Sequence, residues 1–272
     1  MDPYRWSWDP DALVLVPALG VAYAVALKRF PAPRWRIAAF ATGLVLLLAV
    51  LVTPIDTIAL HYLLTAHLLQ NVVLAEWAPL LCVLGLPPAL AAALGRLPGA
   101  RVLTHPLVSL PLWLATYFAW HVPALYDAAL RSIFLLHLEH GCYFAAGTLL
   151  WWPVIHDEPR PIAAPVRALY VFAAFLLASP LGLLLALLPE PVYGFYENAP
   201  RLWGLSPLAD QQLAGLTMAA EESVVFFAVF AFFFARFLRE QEPPQSQPLS
   251  SSSRASSTPA RQSSSTSSSG RS

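Results

Sequence analysis

Histidines that could bind a metal are concentrated near the same ends of three hydrophobic stretches of this chain. Five of the seven histidines belong to this set: His61, His67, His121, His137 and His140. An ionisable side chain is costly in hydrocarbon, so such residues usually face the interior of a helix bundle and mark a functional site. Histidine is also the commonest metal ligand among the amino acids. The sequence therefore predicts that these imidazoles share one membrane leaflet and meet at a site.

Helical spacing adds other ligand types at the same depth. His137 and His140 are three residues apart and share a helix face, and Met218 and Glu222 are four apart on the last apolar stretch. Imidazole, thioether and carboxylate groups from four helices would then converge on one outward-facing pocket. The candidate metal ligands are His61, His67, His121, His137, His140, Met218 and Glu222.

These ligand types leave the bound species open. Imidazole with thioether suits copper, whereas imidazole with carboxylate suits zinc, iron or oxidised copper. Two histidines on separate helices could instead hold a haem iron. The sequence contains no nucleophile–base triad, nucleotide-binding loop or H-E-x-x-H motif, so hydrolysis and ATP-driven transport are not indicated. We therefore expect a protein that is not an enzyme.

The composition is that of an integral membrane protein. Hydrophobic residues make up 57% of the 272 residues and charged residues 12%, and the mean hydropathy is +0.58. The formal net charge is zero, so no nucleic-acid partner is expected. The two cysteines form no C-x-x-C motif, which leaves neither a disulfide framework nor a dithiol copper motif.

The elements that must position these ligands are transmembrane helices. We predict an all-α bundle of seven transmembrane helices, each near the ~20 residues needed to cross a lipid bilayer. The predicted spans are residues 11–28, 36–53, 59–85, 106–122, 132–155, 165–189 and 212–238. In the last span, Ala214 and Gly215 are small enough to let another helix approach closely.

Lys and Arg residues set the expected orientation of the bundle. They cluster between the first and second, third and fourth, and fifth and sixth spans and after the seventh, whereas the opposite ends carry only Arg5, Arg131 and Arg201. The N-terminus is therefore expected outside and the C-terminus in the cytoplasm. We divide the chain into a transmembrane domain, residues 1–240, and a Ser-rich tail, residues 241–272, whose composition predicts disorder.

Several short motifs occur in an order and spacing that resemble a known family. They are Thr53 to Asp56 (TPID), His61 to Gln70 (HYLLTAHLLQ), Trp120 to Pro123 (WHVP), His137 to His140 (HLEH), Trp151 to Pro153 (WWP) and Asp210 to Gly215 (DQQLAG). With these motifs, roughly residues 45–220 resemble the CtaG-like cytochrome c oxidase assembly proteins of bacteria, a seven-helix membrane family.

The resemblance implies a role in maturing a haem-copper terminal oxidase, by delivering copper to an oxidase subunit at the bacterial inner (plasma) membrane. The copper ligands that it implies are His61, His67, His121, His137 and His140, with Met218 as a thioether ligand. Two other functions stay open as alternatives. One is a haem-binding redox or haem-handling protein, and the other is a scaffold for oxidase assembly that binds no cofactor.

Overall fold

The computed structural model describes residues 2–241, which form thirteen α-helices, one π-helical segment and no strand. The first helices are α1 (Pro10–Leu27), α2 (Arg34–Val52), α3 (Pro54–His61), α4 (Leu64–Val72), the π-helical segment (Val73–Trp77), α5 (Ala78–Gly85), α6 (Pro88–Gly95) and α7 (Ala100–Leu103). The others are α8 (Pro106–Trp120), α9 (Pro123–Arg131), α10 (Ile133–Ile155), α11 (Ala164–Leu187), α12 (Gly194–Glu197) and α13 (Pro207–Gln241). This confirms the all-α class. The predicted tail lies outside the described residues, except for Gln241.

Six helical stretches in residues 2–241 are long and apolar enough to cross a membrane. They are Pro10–Leu27, Arg34–Val52, Leu64–Gly85, Ile133–Ile155, Ala164–Leu187 and Pro207–Gln241. The predicted fourth span corresponds to α8, which has only 15 residues. At 1.5 Å per residue it rises about 22 Å, less than the ~30 Å of a hydrocarbon core. A seventh crossing therefore stays a prediction.

The predicted third span was wrong at its start, because the chain breaks between α3 and α4 instead of running as one helix from residue 59. Leu63 is extended, and α4 begins at Leu64. The Asp210 carboxylate accepts hydrogen bonds from the backbone N–H groups of Leu64 at 2.7 Å and Thr65 at 3.1 Å. Such capping satisfies amide groups that the first turn of a helix leaves unpaired. His61 thus lies on a separate short helix from His67.

Proline begins many of the helices and fixes where the chain enters them. Pro10 and Pro54 are the first residues of α1 and α3, where the missing N–H group is not needed. The preceding residues, Asp9 and Thr53, accept a backbone N–H through a side-chain oxygen. The N-terminal segment and α3 are therefore held in defined positions beside the start of α10.

Glycines allow the central helices to approach closely. A Cβ atom on Gly147 of α10 would lie 2.0 Å from the carbonyl oxygen of Ala75 in the π-helical segment. A Cβ atom on Gly215 of α13 would lie 2.4 Å from the carbonyl oxygen of Gly182 in α11. The second contact confirms the prediction of close helix packing at Gly215. Both contacts bring polar side chains of the spans within reach of one another.

Candidate metal site

An open cavity of about 330 Å³ lies between the N-terminal segment, α3 and the first turns of α10. We call it the N-terminal pocket, and its ionisable lining residues include Asp9, Asp56, His61, His137 and His140. His61 is exposed at its rim, whereas His140 is buried. Burial raises the pKa of Asp56, whose carboxylate accepts a hydrogen bond from Gln70 at 2.8 Å. The structure thus brings three of the predicted histidines to one pocket.

His137 interacts with two carboxylates at the N-terminus of α1. Its Nε2 atom is 3.1 Å from Asp9 Oδ2 and its Nδ1 atom is 2.8 Å from Asp11 Oδ2. Among residues 2–241, these three form the one group of at least three His, Cys, Asp or Glu residues whose ligand atoms lie within 4.8 Å of one another. Sequence reasoning singled out His137 but missed both aspartates, because it had not folded the N-terminal segment onto α10.

His67 is fully buried and belongs to α4. Its Nδ1 atom is 2.9 Å from the hydroxyl of Tyr196, and that hydroxyl donates its single hydrogen to the carbonyl oxygen of Ala59 at 2.6 Å. The hydroxyl can therefore only accept from His67, so Nδ1 carries the ring hydrogen. The lone pair on His67 Nε2 is left free, and Nε2 has no hydrogen-bond partner in the described part of the chain.

His121, which follows the last residue of α8, has the same arrangement. Its Nδ1 atom is 2.7 Å from the carbonyl oxygen of Tyr117, which can only accept, so Nδ1 again carries the hydrogen. His121 Nε2 is buried and has no partner among residues 2–241. A histidine that binds a metal typically donates its other ring N–H in this way, which fixes the tautomer and the ring orientation.

Three buried imidazoles therefore share one feature. The Nε2 atoms of His67, His121 and His140 all lack a hydrogen-bond partner within the described residues. Leaving a buried polar atom unpaired costs about 1–3 kcal/mol, so such atoms are rare in folded proteins. His67 is within electrostatic range of both of the other histidines. A ligand that accepts electron pairs would satisfy Nε2 of His67 and His121, because the hydrogen of each ring is on Nδ1.

The buried imidazoles do not converge on one point. The ring of Tyr126 packs against two of them, with centroid distances of 5.1 Å to His67 and 6.1 Å to His121. His140 instead lines the N-terminal pocket. The predicted histidines thus have different surroundings, and Tyr126 contacts two of them.

Met218 lies with His121 at a small enclosed cavity. The cavity offers about 10 Å³ for the centre of a water molecule, and its lining includes Met218, His121, Asn71 and Glu76. That volume is close to the least that holds one water molecule. Both carboxyl oxygens of Glu76 are buried, and the carboxyl group of Glu221 lies within hydrogen-bonding range of them. The cavity therefore combines an imidazole, a thioether and oxygen atoms around a space that could hold one water molecule or one ion.

Glu222 does not line this cavity, and it is connected to the cavity through Tyr117. The Tyr117 hydroxyl donates to Glu222 Oε1 at 2.6 Å, and Tyr117 also lines the cavity. Glu221, the preceding residue, accepts a hydrogen bond from Trp77 Nε1. The sequence indicated that Glu222 shares a helix face with Met218, but periodicity alone could not tell that a tyrosine from α8 would lie between the carboxylate and the histidine.

A model of a known protein family matches most of this chain. The model is described as cytochrome c oxidase caa3 assembly factor (Caa3_CtaG), and it covers residues 21–240. The matched range contains His61, His67, His121, His137, His140, Met218 and Glu222. It begins after Asp9 and Asp11, so the aspartates beside His137 lie outside it.

Curated relatives are found in mycobacteria. Uncharacterised proteins of Mycobacterium bovis and Mycobacterium tuberculosis are each 26% identical to this chain over 237 residues, 76% of the chain and 36% of the relative. An uncharacterised protein of Mycobacterium leprae is 24% identical over 254 residues, 82% of the chain and 38% of the relative. The chain spans little more than a third of the length of these relatives. No solved structure matches it.

Proposed function

Because this chain belongs to the cytochrome c oxidase caa3 assembly factor family, we propose that it holds copper and delivers it to a subunit of a haem-copper oxidase. Copper is cargo in this proposal, and the protein performs no chemical conversion on it. The partner is an oxidase subunit that docks on the side of the N-terminal pocket. The bundle crosses a bacterial plasma membrane seven times, with the N-terminus outside, so that the pocket opens outwards.

The observation that carries the proposal is the set of buried, unpartnered Nε2 atoms on His67, His121 and His140. Hydrogen bonds at Nδ1 hold the first two rings with the Nε2 lone pair free, which is the form that binds a metal. A purely structural histidine gains stability by pairing both nitrogens. These rings instead leave one nitrogen unpaired where burial makes this costly.

We propose that the ion moves from the N-terminal pocket to the small cavity inside the bundle. His61, His137 and His140 line the pocket, whereas His121 and Met218 line the small cavity. Imidazole with thioether is a soft ligand set that suits reduced copper. We propose that His121 and Met218 form the inner holding position and that Glu222, through Tyr117, keeps that position polar.

The test is the copper content of the purified protein. We expect the His67→Ala, His121→Ala double variant to bind less reduced copper than the wild type, by at least one ion per chain, when both are measured by elemental mass spectrometry. His105, which caps α8 through Leu107 N, serves as the matched control. The His105→Asn variant keeps a capping side chain and should bind as much copper as the wild type.

The other two functions would give different results in the same experiment. Equal copper content in the wild type and the double variant, with intact oxidase assembly in cells carrying the variant, would contradict copper delivery and favour a cofactor-free scaffold. A Soret band in the purified wild-type protein would favour haem handling. The cavity beside His121 is far too small for a macrocycle as it stands, which gives the haem alternative less support.

A further inference from the structure

We propose that Asp9, Asp11 and His137 form a divalent-cation site beside the N-terminal pocket, separate from His67 and His121 inside the bundle. Neither aspartate belongs to the ligand set of the proposed function. The site would hold an incoming ion before it enters the bundle. That role in copper handling rests on the proposed function, but the existence of the site does not.

The geometry suits one metal ion. The three side chains offer ligand atoms within 4.8 Å of one another, and His137 Nε2 already lies 3.1 Å from Asp9 Oδ2. Ligands that bind at about 2.0–2.2 Å in a tetrahedral site lie a little over 3 Å apart. An ion bound at Nε2 leaves the Nδ1 hydrogen to be donated to Asp11 Oδ2, at 2.8 Å. This arrangement of carboxylate, histidine and metal is common in proteins.

Charge also favours a cation at this position. Two ionised carboxylates face a single imidazole, so the group keeps a net negative charge even when the imidazole is protonated. A divalent ion balances the charge of both carboxylates, whereas one protonated histidine balances the charge of only one carboxylate. The side chains of Asp9 and His137 are 17% and 27% exposed, so that an ion can reach them from the surrounding water.

His140 provides an independent observation that points to a ligand. It is 8% exposed, its Nε2 atom has no hydrogen-bond partner among residues 2–241, and it lines the same pocket as Asp9 and His137. An ion pair between His137 and the aspartates would leave this nitrogen unsatisfied. His140 lies three residues from His137 on the same helix face and lines the same pocket, so an ion bound there would have this imidazole as a neighbour.

The ligand types define the class of ion. A set of imidazoles and carboxylates suits Zn²⁺ or oxidised copper, and the absence of a thioether or thiolate from this group distinguishes it from the soft set at His121 and Met218. The protein would therefore bind a harder ion at the pocket and a softer one inside the bundle. The two positions can be examined separately with Zn²⁺ and reduced copper.

The experiment is a calorimetric titration of the purified full chain with Zn²⁺ alone. We expect one site in the wild type, at least about tenfold weaker in Asp11→Asn, and lost in the Asp9→Asn, Asp11→Asn double variant. Asparagine is also a good N-cap, so the double variant keeps the start of α1. Asp2→Asn removes the same charge from the same segment outside the group and should bind as the wild type does.

Two results would overturn the site. One is a Zn²⁺ affinity and stoichiometry in the double variant equal to those of the wild type, and the other is no Zn²⁺ binding by the wild type. If the double variant does not purify as folded protein, the Zn²⁺ affinity of the conservative Asp11→Asn variant alone tests the site. The side chain of Asp11 is 59% exposed, so this substitution should not disturb folding. The His67→Ala, His121→Ala variant should retain the Zn²⁺ site, so failure of the copper proposal and failure of this one are distinguishable.

Discussion

A buried histidine acts as a metal ligand or as a structural donor according to what its second nitrogen meets. His67 and His121 donate from Nδ1 and leave Nε2 free, as a metal ligand does. His156 does the opposite, because its Nε2–H donates to the carbonyl oxygen of Val83 at 2.9 Å and joins the end of α10 to α5. The structure thus gives His156 a structural contact.

The burial of His156 predicts how the stability of the protein depends on pH. Burial lowers the pKa of His156 from 6.5 to about 4, so the unfolded chain binds a proton at a higher pH than the folded chain does. The free energy of unfolding should therefore fall as the pH decreases from about 6.5 to about 4, by up to about 3 kcal/mol. Above about pH 6.5 the contribution of His156 to the free energy of unfolding is fully present.

The measurement is the thermal midpoint of the protein in detergent micelles at pH 7 and pH 5. His156→Gln keeps an N–H donor for Val83 but does not titrate, so its midpoint should change less between the two pH values than that of the wild type. His105→Asn is the control and should change as the wild type does. An identical pH dependence in His156→Gln and the wild type would show that His156 is not the responsible group.

At the scale of elements, the site depends on how closely α10 approaches the π-helical segment. Gly147 allows this approach, and the π-helical segment carries Glu76 towards the small cavity. Single turns of π-helix within α-helices are frequent at functional sites. The break between α3 and α4 also affects the site. Asp210 of α13 caps the start of α4, the helix that carries His67, and so fixes where that helix begins.

The close approach of α10 to the π-helical segment predicts that alanine substitution at two glycines of α10 changes stability in opposite directions. Gly147→Ala would place a methyl group 2.0 Å from the Ala75 carbonyl oxygen and should destabilise the protein by about 1–3 kcal/mol or more. Gly141→Ala meets nothing within 4 Å and should stabilise the helix by up to about 1 kcal/mol. Thermal midpoints in micelles compare the two, and equal midpoints would contradict the packing described.

At the scale of the whole molecule, the number of membrane crossings decides which groups face the same side. Within residues 2–241, six helical stretches are long enough to cross a membrane, whereas the apolar helix α8 is shorter. If α8 crosses, residues on its two sides lie in different compartments. The N-terminal pocket and the end of α8 at His121 would then both face outwards, which the proposed docking of an oxidase subunit requires.

Labelling of single cysteines distinguishes seven crossings from six. In a chain with Cys82 and Cys142 replaced by serine, Arg131→Cys should react with a membrane-impermeant thiol reagent in intact cells, and Arg96→Cys should react only after the cells are opened. Both positions are exposed, so accessibility within the fold does not limit either reaction. If the two variants react alike in intact cells, α8 does not cross the membrane.

The sequence alone determined the helical class and the approximate positions of most of the long helices, although it placed the start of the third span wrongly. Apolar runs of about 20 residues and prolines at helix starts are local features, and they do not depend on what packs against them. The same local features placed the candidate histidines near common helix ends. Helical spacing also predicted the close contact at Gly215, since small residues matter wherever another helix approaches.

Only the tertiary structure decided which of these groups meet. Asp9 and Asp11 reach His137 across more than 120 residues of chain, and Tyr196 fixes the His67 ring from a connecting segment. Tyr126 contacts two imidazoles, His67 and His121, that the sequence predicted to share one site. Periodicity records which way a residue faces on its own helix. It contains no information on what the neighbouring helix presents, because that depends on packing between segments distant in the chain.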